Sequence, residues 1–265
     1  MVLGIIGAGN IADSLIAGLI KSQSITSDNI VVSNYNKQKS EKLVLDYGVQ
    51  SDSNENVIKR SDIIILSVKP YGILDVINLY KNQLKGKLII SLAAGISLSS
   101  MEKVDSSLKI VRAMVNTPVK ICQGVLAYST GQHILEEDKI NISKLFSSIG
   151  LFIEVDESKM DAVSVLMGCS PAYIYQIIEA MSDAGVKMGL TRELSLELSS
   201  MAVMGSGGMV NITKNHPAIL KDKVTSPAGS TIEGLAELEN HGVRGAFISA
   251  LYKAYEKTLL FEKNK

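Results

Sequence analysis

Two stretches of this chain place residue types at spacings that suit chemistry. The first, Gly7-Ala8-Gly9-Asn10-Ile11-Ala12, reads G-x-G-x-x-A directly after the apolar run Val2 to Ile6. In such a turn the first glycine permits a sharp reversal and the second lets a pyrophosphate approach the backbone. The small third residue keeps the next helix close to the strand. The unpaired N–H groups of Asn10, Ile11 and Ala12, aligned with the helix dipole, then form an anion site. The second stretch is Val224-Thr225-Ser226-Pro227-Ala228-Gly229-Ser230-Thr231. Its turn opens a new helix whose first N–H groups suit a carboxylate, with the Thr231 hydroxyl beside them as donor or acceptor. An ordinary helix N-cap is the competing reading of the same residues.

The elements that must hold these turns can be read outward from them. Leu15-Ile16-Leu19-Ile20 gives the first turn an amphipathic helix, and Ile30 to Ser33 gives a second strand. A unit preferring NAD places an acidic side chain near the end of that strand to accept from the ribose hydroxyls. Here Ser33, Asn34, Lys37 and Lys39 offer neutral donors and positive charge instead, which suits the extra phosphate of NADP and predicts NADPH over NADH. Further strands are expected near Val49, at Ile63 to Val68, Lys87 to Leu92, Lys109 to Met114, Val125 to Tyr128 and Leu151 to Val155, with helices near residues 39–47, 54–60 and 136–148. Three of the strands end in small or polar turns on one side, at Lys69-Pro70, Ala93-Ala94-Gly95 and Asn116-Thr117-Pro118, where a parallel sheet faces its ligand.

Around Asp156 to Met160 the alternation stops and the later segments read as helix, among them Ser170 to Met188 and Thr191 to Ile212. These helices are apolar or small on nearly every face, so helices of two subunits are expected to pack together; packing onto the nucleotide-binding part is the alternative. The expected architecture is an α/β chain. Residues 1–158 form a Rossmann-like dinucleotide-binding domain, and residues 159–265 form an all-α dimerisation domain that also completes the active site.

Composition narrows the partners. The 27 basic residues cancel the 27 acidic ones, so a small molecule is expected rather than a nucleic acid or an acidic membrane. No apolar run is long enough to span a bilayer and no basic leader precedes the first strand, which predicts a cytoplasmic protein. Cys122 and Cys169 lack C-x-x-C spacing, and His133, His216 and His241 lack metal-ligand spacing, so no disulfide framework and no metal are expected.

The late loop, continued through Gly242, Arg244, Gly245 and Ala246, closely resembles the pyrroline-5-carboxylate reductase pattern V-T-S-P-G-G-T-T-x-x-G-L-x-x-L-E-x-x-G-x-R-G-A. Gly7-Ala8-Gly9-Asn10, Val68-Lys69-Pro70, Ala93-Ala94-Gly95-Ile96, Arg112-Ala113-Met114, Pro171-Ala172-Tyr173 and Glu179-Ala180-Met181 extend the resemblance over essentially the whole chain. It implies reduction of 1-pyrroline-5-carboxylate to L-proline by NAD(P)H, the last step of proline synthesis, in a homodimer interlocked through its helices and often assembled into rings of dimers. Carried over by position, Thr231 bonds the imine nitrogen, the Gly229 to Thr231 backbone holds the carboxylate, and Ser226 and Ser230 complete the substrate loop. Ser33, Asn54, Val68, Lys69, Pro70, Ala93, Ala94 and Gly95 line the cofactor. Two alternatives are a paralogue that reduces another cyclic imine acid and a non-catalytic NADP-binding regulatory protein.

The chain departs from the family pattern at Val115, at Met167-Gly168-Cys169-Ser170 and at Ala228, where proline, serine-glycine-serine-glycine and glycine are usual. Ala228 matters most. If its position needs a positive φ, a Cβ there costs on the order of 1 kcal/mol and reshapes the carboxylate pocket.

Overall fold

The computed structural model describes residues 1–263, with side chains described as far as Leu260. The first part alternates strand and helix. In order come β1 (Leu3–Ile6), α1 (Asn10–Lys21), β2 (Ile30–Ser33), α2 (Lys37–Tyr47), β3 (Gln50–Ser51), α3 (Asn54–Arg60), β4 (Ile63–Leu66), α4 (Ile73–Leu84), β5 (Leu88–Ser91), α5 (Leu98–Glu102) and β6 (Lys109–Val115). After these follow β7 (Gly124–Thr130), α6 (Glu136–Phe146), β8 (Gly150–Glu154) and α7 (Met160–Gly168).

The strands form one sheet in the order β3-β2-β1-β4-β5-β6-β7-β8. Pairing is parallel from β3 to β6, antiparallel between β6 and β7, and parallel again between β7 and β8. Strands β1, β2, β4 and β5 are buried along their whole length, which is why they read as continuous apolar runs. One face carries Leu3, Ile5, Val32 and Ile65 against Leu15, Ile16 and Leu19 of α1. The other carries Ile6, Val31, Ile64 and Ile89 against Ile73, Ile77 and Leu84 of α4. Each such side chain taken from water contributes about 1.5 to 3 kcal/mol before chain entropy is counted.

Local chemistry sets the helix ends. Asn36 caps α2 and Ser53 caps α3 through side-chain oxygens, and Gly48 stops α2 in the left-handed region. The expected strands fall within a residue or two of those observed, but α4 and α5 fill connections in which the sequence reading placed no helix.

Helix α7 belongs by its packing to the sheet. Met160 and Met167 bury against Ala127, with Met114, Val125 and Val163 around them. Strand β6 and the residue that follows it also grip both ends of the helix. Arg112 Nη2 lies 2.5 Å from Asp161 Oδ1 in its first turn, and Asn116 Nδ2 donates to the carbonyl of Met167 at 3.1 Å. The first compact unit accordingly comprises Met1–Cys169 and the chain from Ala254 onward, and the second is Ser170–Lys253.

The second unit is helical: α8 (Ser170–Lys187), α9 (Arg192–Thr213), α10 (Pro217–Lys223), α11 (Ser230–Asn240) and most of α12 (Val243–Lys263). Between Ser170 and Lys253 the buried residues are Ser182, Gly185, Ser195 and Ser199, all at the α8–α9 contact. Leu196, Met201, Met204, Met209 and Ile212 remain exposed. A helical segment that buries no large apolar side chain of its own has its driving force for association still unspent. Among the described residues, no helix is long and apolar enough to cross a membrane.

Candidate active site

The sheet register brings the first group of residues together. Ile6 lies level with Ser33 of β2 and Leu66 of β4, and Leu66 lies level with Ser91 of β5. The turns at Gly7–Ala12, Ser33–Lys37, Val68–Pro70 and Ala93–Gly95 therefore leave the sheet along one carboxyl edge. The chain steps outward from β1 to β2 and β3 and then crosses back to β4, so this edge holds the topological switch point where doubly wound sheets bind ligands. Asn54 opens α3 farther out, beyond β2.

The two glycines of the first turn have different reasons to be glycine. Gly7 has a φ of 110°, its N–H donates to the Ser33 carbonyl at 2.8 Å, and an added Cβ would lie 2.5 Å from the Ser67 carbonyl oxygen. Its identity is required by the fold. Gly9 has an ordinary extended backbone, and an added Cβ would meet no protein atom within 4 Å. No side chain of this chain excludes a Cβ there, whereas a bound diphosphate would. Gly9 is also the N-cap of α1 with no side-chain bond across the helix start, so the N–H groups of Asn10, Ile11 and Ala12 point outward unshared. A dinucleotide fits these residues.

At the end of β2 the Ser33 hydroxyl is buried with no hydrogen-bond partner, an orphan of the kind that a ligand oxygen satisfies. Asn34 is braced locally: its Oδ1 accepts from Ala8 N at 3.2 Å and its Nδ2 donates to the Asn36 carbonyl at 2.9 Å. Lys37 and Lys39 are exposed in the first turn of α2, where no carboxylate opposes them. Asp13, the acid in the first turn of α1, is itself compensated by Tyr47 Oη and Lys120 Nζ, each at 2.9 Å. Burial, then the bond to Asp13, pushes the Tyr47 phenol above its usual range, and the Asp13 carboxylate holds the Lys120 ammonium high. These partners relieve the repulsion that a bare carboxylate would offer a phosphate near the same helix start.

The substrate-loop residues form a group of their own. Ala228 has a φ of 56°, the left-handed conformation that glycine takes without strain. It turns the chain so that Gly229 N donates to the Ser226 carbonyl at 3.1 Å, and Gly229 then caps α11 without a side-chain bond. A Cβ at Gly229 would collide with Ser226 Oγ. Ser230 and Thr231 are the first two helical residues, and both are exposed in the single chain with their N–H groups free of intrahelical acceptors. The turn is flanked by helix on both sides, α10 (Pro217–Lys223) before it and α11 after it. His216 caps α10, its Nδ1 accepting from Ala218 N at 3.2 Å, which is a structural use of the ring.

Sequence reasoning passed over one polar cluster. Arg112, 2% exposed within β6, pairs with Asp161 and, at 3.4 Å, with Glu157 Oε1, while its Nε is buried without a partner. A charged residue inside the run Lys109 to Val115 was the available signal, since buried charges require partners. Its partners, however, stand far along the chain.

Comparison with known proteins bears on the whole chain. Residues 157–259 match the family model described as pyrroline-5-carboxylate reductase dimerisation, and residues 2–95 match one described as NADP oxidoreductase, coenzyme F420-dependent. The pyrroline-5-carboxylate reductase of Glycine max is 39% identical over 258 residues, covering 97% of this chain and 94% of that protein. The enzyme of that name from Methanosarcina acetivorans is 38% identical over 97% of this chain and 96% of its own length. Among solved structures, Plasmodium falciparum pyrroline carboxylate reductase with NADP bound superposes with a TM-score of 0.90 at 33% identity, covering 99% of this chain and 98% of that one.

Proposed function

Since this chain belongs to the pyrroline-5-carboxylate reductase family, we propose that Thr231 is its catalytic hydroxyl and that Gly7–Ala12 and Ser226–Thr231 are its cofactor and substrate cradles. The protein is an NAD(P)H-dependent oxidoreductase that reduces 1-pyrroline-5-carboxylate to L-proline, the last step of proline biosynthesis. NADP(H) is its cofactor and, when bound, supplies the hydride from the nicotinamide.

The chain's own residues bind, orient and polarise. The outward N–H groups of Asn10, Ile11 and Ala12 hold the diphosphate against the Gly9 backbone, with Val68, Lys69 and Pro70 lining the adjoining turn. Ser33, Asn34 and Lys37, with Asn54 beyond them, receive the adenosine end, and the positive charge there is the ground for proposing NADPH over NADH. Ala93, Ala94 and Gly95 border the nicotinamide end. The free N–H groups of Ser230 and Thr231, carried on the Gly229 backbone that the Ser226 carbonyl holds in the turn, hold the substrate carboxylate, with the Ser226 side chain behind them. The Thr231 hydroxyl bonds the imine nitrogen and favours its protonated, electrophilic form. Acceleration by such a site comes from orientation and charge placement, with no covalent step.

The chain carries the family's dimerisation segment. We place a nucleotide-binding domain at 1–158 and a dimerisation and substrate domain at 159–265, the latter beginning with α7, which packs on the sheet so that the compact units divide after Cys169 instead, with a homodimer through the helices and further assembly into a ring of dimers. The unspent apolar surface of α9 supports the association. A cytoplasmic setting accords with the free thiols of Cys122 and Cys169.

One observation carries the site assignment: Gly9 has room for a side chain yet has none, directly before a helix start with unshared donors. Steady-state assays with NADPH and NADH, each against the five-membered imine acid and its six-membered homologue, test the reading. The highest kcat/KM should belong to NADPH with the five-membered ring. A preference for the larger ring would overturn the substrate assignment.

A further inference from the structure

The cluster around Arg112 joins three elements. Arg112 lies within β6, Asp161 in the first turn of α7, and Glu157 in the 3-10 turn Glu157–Lys159 between β8 and α7. Glu157 Oε1 accepts from Arg112 Nη1 at 3.4 Å and also from the backbone N–H of Leu98 at 2.5 Å. Leu98 is the first residue of α5, the short helix that follows Ala93-Ala94-Gly95. Its N–H stands at a helix start with no intrahelical acceptor, and Ser97, which caps the helix, serves Ser100 N instead. A carboxylate 59 residues away in sequence therefore closes the Leu98 end of the segment that leaves β5.

We propose that Glu157, held by the buried guanidinium of Arg112, is a positioning residue that fixes the Ala93-Ala94-Gly95 loop for the nicotinamide end of the cofactor. Two features of the cluster point this way. Arg112 already has a tight partner in Asp161 at 2.5 Å, so Glu157 is not needed to keep that buried charge paired. Its shorter bond goes instead to the backbone that continues the loop. The loop itself leaves Ser91, where β5 ends level with β4; downstream Ile96 and Leu98 hold it by burial in the core, and this carboxylate bond ties its backbone where α5 begins. The inference rests on the reading that Ala93–Gly95 border the nicotinamide.

The experiment uses the full chain and two probes: NADPH, and adenosine 2′,5′-bisphosphate, which lacks the diphosphate and nicotinamide half. Glu157→Ala should weaken NADPH about tenfold, the loss expected for a charge-assisted hydrogen bond, and lower kcat, while the bisphosphate binds as before. Glu157→Gln keeps an oxygen acceptor for Leu98 N and should recover NADPH affinity to within about threefold of the parent. Equal weakening of both probes by Glu157→Ala, no weakening of either, or a Gln variant as impaired as the Ala variant would each overturn the proposal. Ala94→Val separates this from the underlying reading. If it weakens NADPH while Glu157→Ala does not, only the positioning role fails; if Ala94→Val leaves NADPH untouched, the loop does not border the cofactor at all.

Discussion

Replacing Ala228 with glycine should stabilise the protein, although it deletes a methyl group. Ala228 holds a φ of 56°, where contact between Cβ and the following carbonyl costs an L-residue roughly 1 to 2 kcal/mol. Its side chain is exposed, so no buried apolar area is lost on removal. Against the relief stands the greater freedom of glycine in the unfolded chain, about 0.4 to 1 kcal/mol. The balance is a gain of about 0.5 to 1 kcal/mol. Urea unfolding of both forms at one protein concentration measures it, the fixed concentration being needed because self-association is linked to folding. Ala228→Val supplies the opposite arm. A β-branched residue in the left-handed region is a severe outlier, and the variant should lose at least about 1 kcal/mol relative to the parent. The free N–H groups of Ser230 and Thr231 are unchanged in the glycine form, so its KM for the imine acid should stay within about threefold. A glycine variant destabilised by more than about 0.5 kcal/mol, together with a neutral valine variant, would refute the left-handed turn and the carboxylate cradle built on it.

Other outcomes follow from the same geometry. Thr231→Ala should lower kcat/KM by roughly 1 to 3 kcal/mol while NADPH affinity is unchanged, and full retention of activity would remove the hydroxyl from the mechanism. Gly9→Val should fold normally, because its Cβ meets nothing in the protein, yet lose NADPH in a fluorescence titration; normal binding would contradict the diphosphate cradle. Arg112→Met should destabilise by about 3 kcal/mol, since Asp161, whose side chain is 13% exposed, is left without its charge partner, and an unchanged denaturation midpoint would deny that pairing. Asp52 is held below its ordinary value of 3.8 chiefly by bonds from Asn56 and Ser53. A depressed carboxylate contributes stability above that ordinary value and loses it as pH falls through the lower one. Asp52→Asn should therefore flatten the decline in stability below pH 3.8, and an identical acid limb in both forms would count against the assignment.

What the sequence made legible and what it hid divide along a physical line. Runs such as Ile63-Ile64-Ile65-Leu66 announce a strand buried on both faces, and the G-x-G-x-x-A turn announces its own geometry, because both signals are local. Helix α4 was within reach, since Ile73, Ile77 and Leu84 follow helical spacing, yet the reading passed from Pro70 to the next strand without it. Helix α7 is at least as apolar as α8 after it, so composition could not reveal that α7 is the one grouped in the sheet's compact unit. That distinction depends on Arg112 and Asn116, whose partners lie 49 and 51 residues downstream. The open space at Gly9 and the orphan hydroxyl of Ser33 likewise required coordinates, because both concern which neighbours are missing. Ala228 stood between these cases: the sequence posed the question of a positive φ, and the backbone answered it.

Hydride delivery to a five-membered cyclic imine acid is the step on which every assignment above depends. Turnover of 1-pyrroline-5-carboxylate with NADPH dideuterated at the nicotinamide C4, followed by mass spectrometry of the amino acid formed, tests it most directly. The expected product is proline carrying a single deuterium at the former imine carbon, with the yield reduced in Thr231→Ala. Proline without deuterium, or no proline while NADPH still binds, would contradict it.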